Sequence, residues 1–284
     1  MSSDHAADPR PARTFRREPE LLPAHEEARA ALEAELGEPI TCDGLTGEWP
    51  ILQRKHGHRH STDDVLTAYY ASVHGPRTRH ALDLGTGIGT VGMLVLWGLG
   101  EDARLTCVEA QDISFRLLRA NLSMNGLDAR VTAHHGDLRA TDLGGSFELV
   151  TGSPPYFDVA AGVVPADSQK AHARFELRGT VADYARAARR ALADRDEARF
   201  VFCFPTAQKA RAMAAAHDAG FSAVKHRDVV PKRGLVPLFS LFACRLGEHP
   251  ETHEPDLVVR EADGSHTAEM REVRMHFGFT YPEG

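Results

Sequence analysis

Cysteine is scarce in this 284-residue chain, and its four copies, Cys42, Cys107, Cys203 and Cys244, stand far apart. No CxxC pair exists, so neither a zinc knuckle nor a disulfide framework is indicated. Long apolar runs are missing too. The longest, Val91 to Leu99, is interrupted by Gly92 and Gly98 and falls short of the roughly 18–20 residues that span a bilayer. The opening stretch, MSSDHAADPRPARTFRREPE, lacks the apolar region of a secretory leader. Glycine and proline follow no period, which excludes a collagen-like chain, and with 42% hydrophobic residues the chain as a whole is not disordered. Neither sign of charge dominates: 33 basic against 40 acidic residues leave −7, which is not the balance of a nucleic-acid binder. These exclusions point to a reduced, cytoplasmic protein of one large domain or two small ones, with no membrane segment.

The distribution of charge says more than its sum. Residues 160–245 carry +7, while the segments on either side are acidic. Such a block can form an electrostatic footprint for a phosphate backbone, or it can be the solvated faces of surface helices. Residues 1–20 are rich in Pro, Arg and Asp and are expected to be disordered. Residues 21–78 read as a helix (Pro23–Leu36, stopped by Gly37), a hairpin over 40–54 turning at Asp43-Gly44, and a second helix capped by Ser61 with Asp64 three residues on. From residue 79 to 284 strands and helices alternate. His80–Leu84, Arg104–Glu109, Arg130–His134, Phe147–Thr151 and Ala198–Phe204 read as strands, with helical segments between them. A closing pair, Ala223–Val230 and Pro237–Leu246, is joined by too few residues to be parallel. This predicts an α/β, Rossmann-like fold: a mostly parallel seven-stranded sheet with an antiparallel last strand and helices on both faces.

The first of these strands ends Ala81-Leu82-Asp83-Leu84 and runs into Gly85-Thr86-Gly87-Ile88-Gly89. Alternating glycines permit positive φ and close backbone approach, and the helix beyond presents free N–H groups. Gly87, Gly89 and Gly92 satisfy the dinucleotide spacing GxGxxG. Yet Asp83 lies just ahead of them, where a carboxylate repels a pyrophosphate and attracts an amine or a sulfonium. The form D-x-G-x-G-x-G therefore favours S-adenosylmethionine. Glu109, at the end of the second strand, is placed for ribose hydroxyls. Asp137, in Gly136-Asp137-Leu138 after the third strand, is placed for an adenine amino group.

After the fourth strand comes Ser153-Pro154-Pro155-Tyr156-Phe157. Two prolines give a stiff, extended backbone, which offers the Ser153 hydroxyl and the Pro154 carbonyl as paired acceptors for one amino group. An exocyclic base amine is a poor nucleophile, so holding its hydrogens aims the developing lone pair. Tyr156 can stack on a flat substrate. His56, His58, His60 and the pair His134-His135 meet no matching carboxylate or thiol set, and no metal is expected. No Ser/His/Asp or paired-carboxylate arrangement emerges either.

Taken in order, Trp49–Lys55, Gly57-His58-Arg59-His60-Ser61-Thr62-Asp63-Asp64, DLGTGIG, Glu109, Gly136-Asp137, SPPYF and Ala173–Leu177 resemble the class I S-adenosylmethionine methyltransferases. Within these they resemble the tRNA1(Val) adenine-37 N6-methyltransferase family, over nearly all of 49–284. The resemblance implies methyl transfer from S-adenosylmethionine to an exocyclic amino group, adenine-N6 in tRNA, by a cytoplasmic monomer. It implies cofactor contacts from Thr62, Asp63, Asp83, Gly85, Gly87, Gly89, Glu109, Asp137 and Leu138. The reacting group would meet Ser153, Pro154 and Tyr156. Phe157, Lys170, Arg174, Arg178, Lys232 and Arg233 would meet the RNA. One departure stands out: the family usually has Asn where this chain has Ser153. Because SPPY also occurs in cytosine-N4 methyltransferases and NPPY in enzymes acting on protein glutamine, those acceptors remain alternatives, as does a noncatalytic cofactor-binding module.

Overall fold

The computed structural model describes residues 20–157, 167, 169–170, 175–177 and 179–281. Pro23, with its preset φ and missing N–H, opens α1 (Pro23–Leu36), and Gly37 closes it in the left-handed conformation at φ 69°. The hairpin follows, β1 (Ile40–Gly44) and β2 (Pro50–Arg54). Its turn is not at Asp43-Gly44. Both residues lie in β1, opposite Ile51 and Pro50, and the chain reverses over 45–49, where the Leu45 and Thr46 amides both donate to the Trp49 carbonyl. The helix α2 (Thr62–His74) begins with the expected capping pair, in which the Ser61 N–H donates to Asp64 Oδ2 at 3.1 Å.

The large sheet is built from β3 (His80–Leu84), β4 (Arg104–Glu109), β5 (Val131–His135), β6 (Leu149–Gly152), β7 (Arg199–Pro205), β8 (Phe221–Val230) and β9 (Phe239–Leu246). A two-residue edge strand, β10 (Leu257–Val258), adds an eighth that sequence periodicity is too short to show. The order across the sheet is β10-β8-β9-β7-β6-β3-β4-β5. Every neighbouring pair is parallel except those made by β9, which runs against both β7 and β8. The fold is the Rossmann-like α/β architecture, with β9 as its one reversed strand.

Alternation along the strands divides the core. Ala81, Leu105, Cys107, Val201 and Leu241 face α2, α3 (Thr90–Leu99) and α4 (Asp112–Met124). Leu82, Leu84, Val108, Phe200 and Phe202 face α5 (Val181–Ala191) and α6 (Lys209–Asp218). The helix α7 (Ala268–His276) joins the first face through Met270 and Val273. Residues of α1 and the hairpin, Leu32, Ile51 and Leu52 among them, belong to the same cluster as the sheet, so the 21–78 segment shares the core of 79–284. Asn121 of α4 stitches them together. Its side chain accepts from the Leu52 N–H (2.7 Å) and donates to the carbonyls of Leu52 (3.2 Å) and Ile88 (3.0 Å).

This topology decides where a ligand can sit. From β3 the chain moves outward through β4 to β5, then returns to the other side of β3 as β6. The connections leaving β3 and β6 therefore part in opposite directions and open a crevice at the carboxyl ends of the strands. The glycine loop leaves β3 and the SPPY segment leaves β6.

Candidate active site

The two connections line one cavity of about 770 Å³, within the usual span of small-molecule sites. On the glycine side, Gly85 and Gly87 both have φ of +60°. A Cβ on Gly87 would meet no protein atom, whereas one on Gly85 would fall 1.9 Å from the Tyr184 hydroxyl. Gly87 thus keeps space open for a ligand, and Gly85 keeps space open for Tyr184. Gly89 is the left-handed cap of α3 and holds the turn without lining the cavity.

Asp83 lies at the base of the loop and is almost wholly buried. Its carboxylate accepts from the hydroxyls of Thr86 (2.6 Å) and Thr151 (2.7 Å) and from the Gly92 N–H. Burial pushes its carboxyl above the usual value despite those bonds. The residue is thus a structural tie between β3, β6 and the loop as well as a wall of the cavity. Glu109 accepts from the Gly87 N–H (2.9 Å) and the Gln111 N–H (2.7 Å), which brings its carboxylate to the loop that the sequence places opposite it. Thr62, Asp63 and Leu138 also line the space.

Asp137 differs from expectation. Its carboxylate is turned onto the Arg139 guanidinium, at 2.6 Å and 2.9 Å, while its neighbours Gly136 and Leu138 line the cavity in its place. An arginine two residues away competes successfully for a carboxylate on an exposed turn.

On the other side, Ser153, Pro154, Pro155, Tyr156 and Phe157 all line the cavity. The Tyr156 hydroxyl donates to Asp63 Oδ2 at 2.6 Å and lies 3.3 Å from Cys203 Sγ, and Ser153 Oγ lies 3.5 Å from the same sulfur. Burial pushes the Cys203 thiol up to about 12, so it stays protonated at neutral pH. Gln208 Nε2 donates to the Tyr156 carbonyl (2.8 Å), Arg211 donates to Gln208 Oε1 (3.0 Å), and Arg211 also grips Glu176 at 2.5 and 2.7 Å. A short brace from α6 and the turn just before it therefore holds the tetrapeptide.

Of the residues expected to face RNA, Phe157 is 45% exposed at the cavity mouth. Lys232 and Arg233 lie in the turn between β8 and β9, four to six residues before Pro237 and Leu238, which line the cavity. Arg233 is engaged with Glu261 at 2.5 Å. Lys170 is half-buried, its N–H donates to Asp167 (2.9 Å), and it follows Gln169, which lines the cavity, without lining it itself. Arg174 and Arg178 lie outside the described residues.

Sequence reasoning passed over Tyr184, which packs its ring beside Gly85 and Gly152, and Gln169, a buried side chain that accepts from Arg54 and from the His58 N–H, both at 3.1 Å. Tyr184 belongs to the apolar stripe of an amphipathic helix, and nothing local separates it from an ordinary core residue. Asp64 reads as a cap and serves as one, yet it also lines the cavity, and burial pushes its carboxyl well up.

The electrostatics separate the two candidate ligands. Asp63, Asp64, Asp83 and Glu109 line the cavity, and among the described residues no Lys or Arg does. A pyrophosphate would find no cation there. A cationic ligand without phosphate, bearing ribose hydroxyls, finds four acidic side chains and the open backbone at Gly87. Elsewhere, Asp228, His253 and Asp256 bring ligand atoms within 4.8 Å of one another, but Lys209 Nζ already sits 2.6 Å from Asp228.

Residues 62–175 match the family described as Methyltransferase small domain. Fold, site and match together define a class I S-adenosylmethionine-dependent methyltransferase. Within that class the chain resembles proteins named tRNA1(Val) (adenine(37)-N6)-methyltransferase. One from Actinobacillus pleuropneumoniae is 24% identical over 219 residues, covering 76% of this chain and 89% of the relative. One from Aeromonas hydrophila is 26% identical over 206 residues, covering 72% and 84%. Among solved structures, an Agrobacterium tumefaciens protein described as a predicted O-methyltransferase superposes with a TM-score of 0.60 at 19% identity, covering 78% of this chain and 98% of that one; this likeness concerns the fold alone. The cofactor is S-adenosylmethionine. No helix among the described residues is long and apolar enough to cross a membrane.

Proposed function

We propose that this enzyme methylates an exocyclic amino group of RNA, the N6 of adenine in a tRNA anticodon loop, in the cytoplasm. The observation that carries the reading is that SPPY shares one cavity with the glycine loop, with the Tyr156 ring anchored by its hydroxyl to Asp63. The names of the relatives support the choice of acceptor.

The cofactor supplies an electrophilic methyl group on a sulfonium. Asp83, Gly85, Gly87 and Glu109 would hold it from the β3 and β4 side and Asp63 from the start of α2, with Thr62 and Leu138 as neighbouring walls. Ser153 Oγ and the Pro154 carbonyl accept the two amine hydrogens and turn the lone pair toward the methyl. Tyr156 gives its ring as a platform. Its hydroxyl is committed to Asp63, so it neither donates to the substrate nor acts as the base. Methyl transfer would leave the electron pair of the broken C–S bond on sulfur and an extra proton on the nitrogen, which would pass to water at the cavity mouth, so no strong base is required of the protein.

Ser153 favours a second reading to be tested beside the first, cytosine-N4, since SPPY is the form that also occurs in cytosine-N4 methyltransferases. A protein glutamine amide, planar like a base amine, is the other acceptor that such a pocket would take. Incubation with methyl-labelled S-adenosylmethionine and either total tRNA from a strain lacking the gene or ribosomal proteins separates these. Label in N6-methyladenosine of tRNA is expected. Label in methylcytidine, or in protein only, would overturn adenine as the acceptor.

A further inference from the structure

The loop joining β8 to β9, residues 231–238, carries aliphatic side chains that the fold leaves in water. Leu235 is 57% exposed, Val236 81% and Leu238 63%. Together with Phe157, at 45%, they account for four of the nine large apolar side chains exposed among the described residues. They are not scattered. Pro237 and Leu238 line the same cavity as Phe157. The loop is firmly built: the Leu235 N–H donates to the Lys232 carbonyl, Gly234 takes a φ of +88°, and the Leu238 N–H returns to the Val229 carbonyl. Holding apolar groups in water on a rigid turn at the mouth of a site marks a surface meant to be covered.

The charge beside the patch indicates what covers it. Lys232 opens the turn, with Arg233 next to it, whereas the cavity behind is lined by carboxylates. A polyanion is attracted at the rim and repelled from the interior, so only an uncharged part of it can enter. That is the electrostatic pattern for a nucleic acid that lays its phosphates outside and extrudes one base. Extrusion leaves a gap in the stack and costs a few kcal/mol of stacking, and apolar side chains inserted at the step are a known way to offset it. We propose that Leu235 and Val236 form a wedge that enters the base stack beside the target nucleotide and holds it open while Leu238 and Phe157 flank the departing base. This rests on the RNA reading given above and adds to it how the base is brought out.

The test uses the full-length enzyme and an anticodon stem-loop RNA with 2-aminopurine at position 37, whose fluorescence rises on unstacking. Wild type is expected to raise the signal on binding. The double variant Leu235→Ser, Val236→Ser lies on exposed positions and keeps its melting temperature and its S-adenosylmethionine affinity. It is expected to lose most of the fluorescence rise. Its kcat/KM on the adenine-containing stem-loop should fall at least about tenfold, the effect of losing part of an unstacking gain. On a short single-stranded oligonucleotide, whose adenine is already unstacked, the loss should be under about twofold. An undiminished fluorescence rise in the variant, or an equal loss on both substrates, overturns the wedge while leaving RNA as the substrate. Wild type that labels protein and no RNA overturns the RNA reading and the wedge with it.

Discussion

Ser153 and Tyr156 share the Cys203 sulfur at 3.5 and 3.3 Å, and this contact fixes which of their atoms remain for chemistry. The thiol stays protonated, and the Tyr156 hydroxyl spends its proton on Asp63, so the Ser153 oxygen keeps acceptor capacity toward the cavity. Ser153→Ala is expected to lower kcat by about 10²-fold, by analogy with single donors of preorganised pairs, while tRNA affinity stays near wild type. Ser153→Asn is expected to retain part of the activity on adenine. Single-turnover rates and binding isotherms read the two effects separately. At the other wall, Gly87→Val is expected to abolish measurable S-adenosylmethionine binding in calorimetry. The new side chain would project from a backbone at φ +60°, disfavoured for a β-branched residue, toward open space where the ligand belongs. The folded core should survive, because no protein atom stands within 4 Å of the added carbon.

At the scale of elements, α6 is held to the sheet by an ion pair as well as by its alanines. Lys209 Nζ lies 2.6 Å from Asp228 of β8, which also accepts from Ser240 of β9 at 2.6 Å. Burial by itself would raise the Asp228 carboxyl, but hydrogen bonds from Lys209 and Ser240 hold it below its ordinary value of 3.8. A carboxyl lower in the folded than in the unfolded state adds stability above the unfolded value and loses it as pH falls through the folded one. Lys209→Met leaves Asp228 buried without its cation and is expected to cost on the order of 3 kcal/mol at pH 7. The gap to wild type should narrow as pH drops below about 4. Urea titrations at pH 7 and pH 3.5 measure both. Because the same helix supplies Arg211, and the turn just before it supplies Gln208, the variant should also loosen the grip on the Tyr156 carbonyl.

Across the whole molecule, seven of the fifteen basic side chains of residues 160–245 are held in ion pairs among the described residues. Arg186, Arg195, Arg211, Arg227, Arg233 and Arg245 each pair with a carboxylate, as does Lys209. Four of the seven partners lie in the block itself and are already counted in its +7, so only the pairs with Glu148, Glu261 and Glu269 draw on the excess. Lys232 has no direct ion pair among the described residues, only the field of Asp263. Lys232→Ala is expected to reduce the slope of log Kd against log salt for tRNA by roughly 0.7–0.9, one phosphate contact. Arg233→Ala should reduce it by less, since that guanidinium must first leave Glu261. Filter binding at several salt concentrations checks the order, and equal slopes for wild type and Lys232→Ala would mean that the turn faces away from RNA.

The sequence by itself determined what depends on neighbours along the chain. Period-two apolar runs marked the strands, and the pair Ser61 and Asp64 marked the start of α2. Glycines at positive φ marked the loop after β3, and the two prolines marked the stiff end of β6. Together with the order of motifs, these were enough for the fold, the cofactor and the class of reaction. Tertiary structure decided what depends on residues far apart in the chain. Tyr156 finds Asp63 across 93 positions and Arg211 finds Glu176 across 35. Tyr184 reaches Gly85 only because α5 lies over β3 and β6. Asp83 and Asp137 look alike as acidic residues near strand ends, yet one is buried between two threonine hydroxyls and the other is drawn out by Arg139. Local chemistry offers a carboxylate; the direction in which it points is set by which competing donor the fold brings closest.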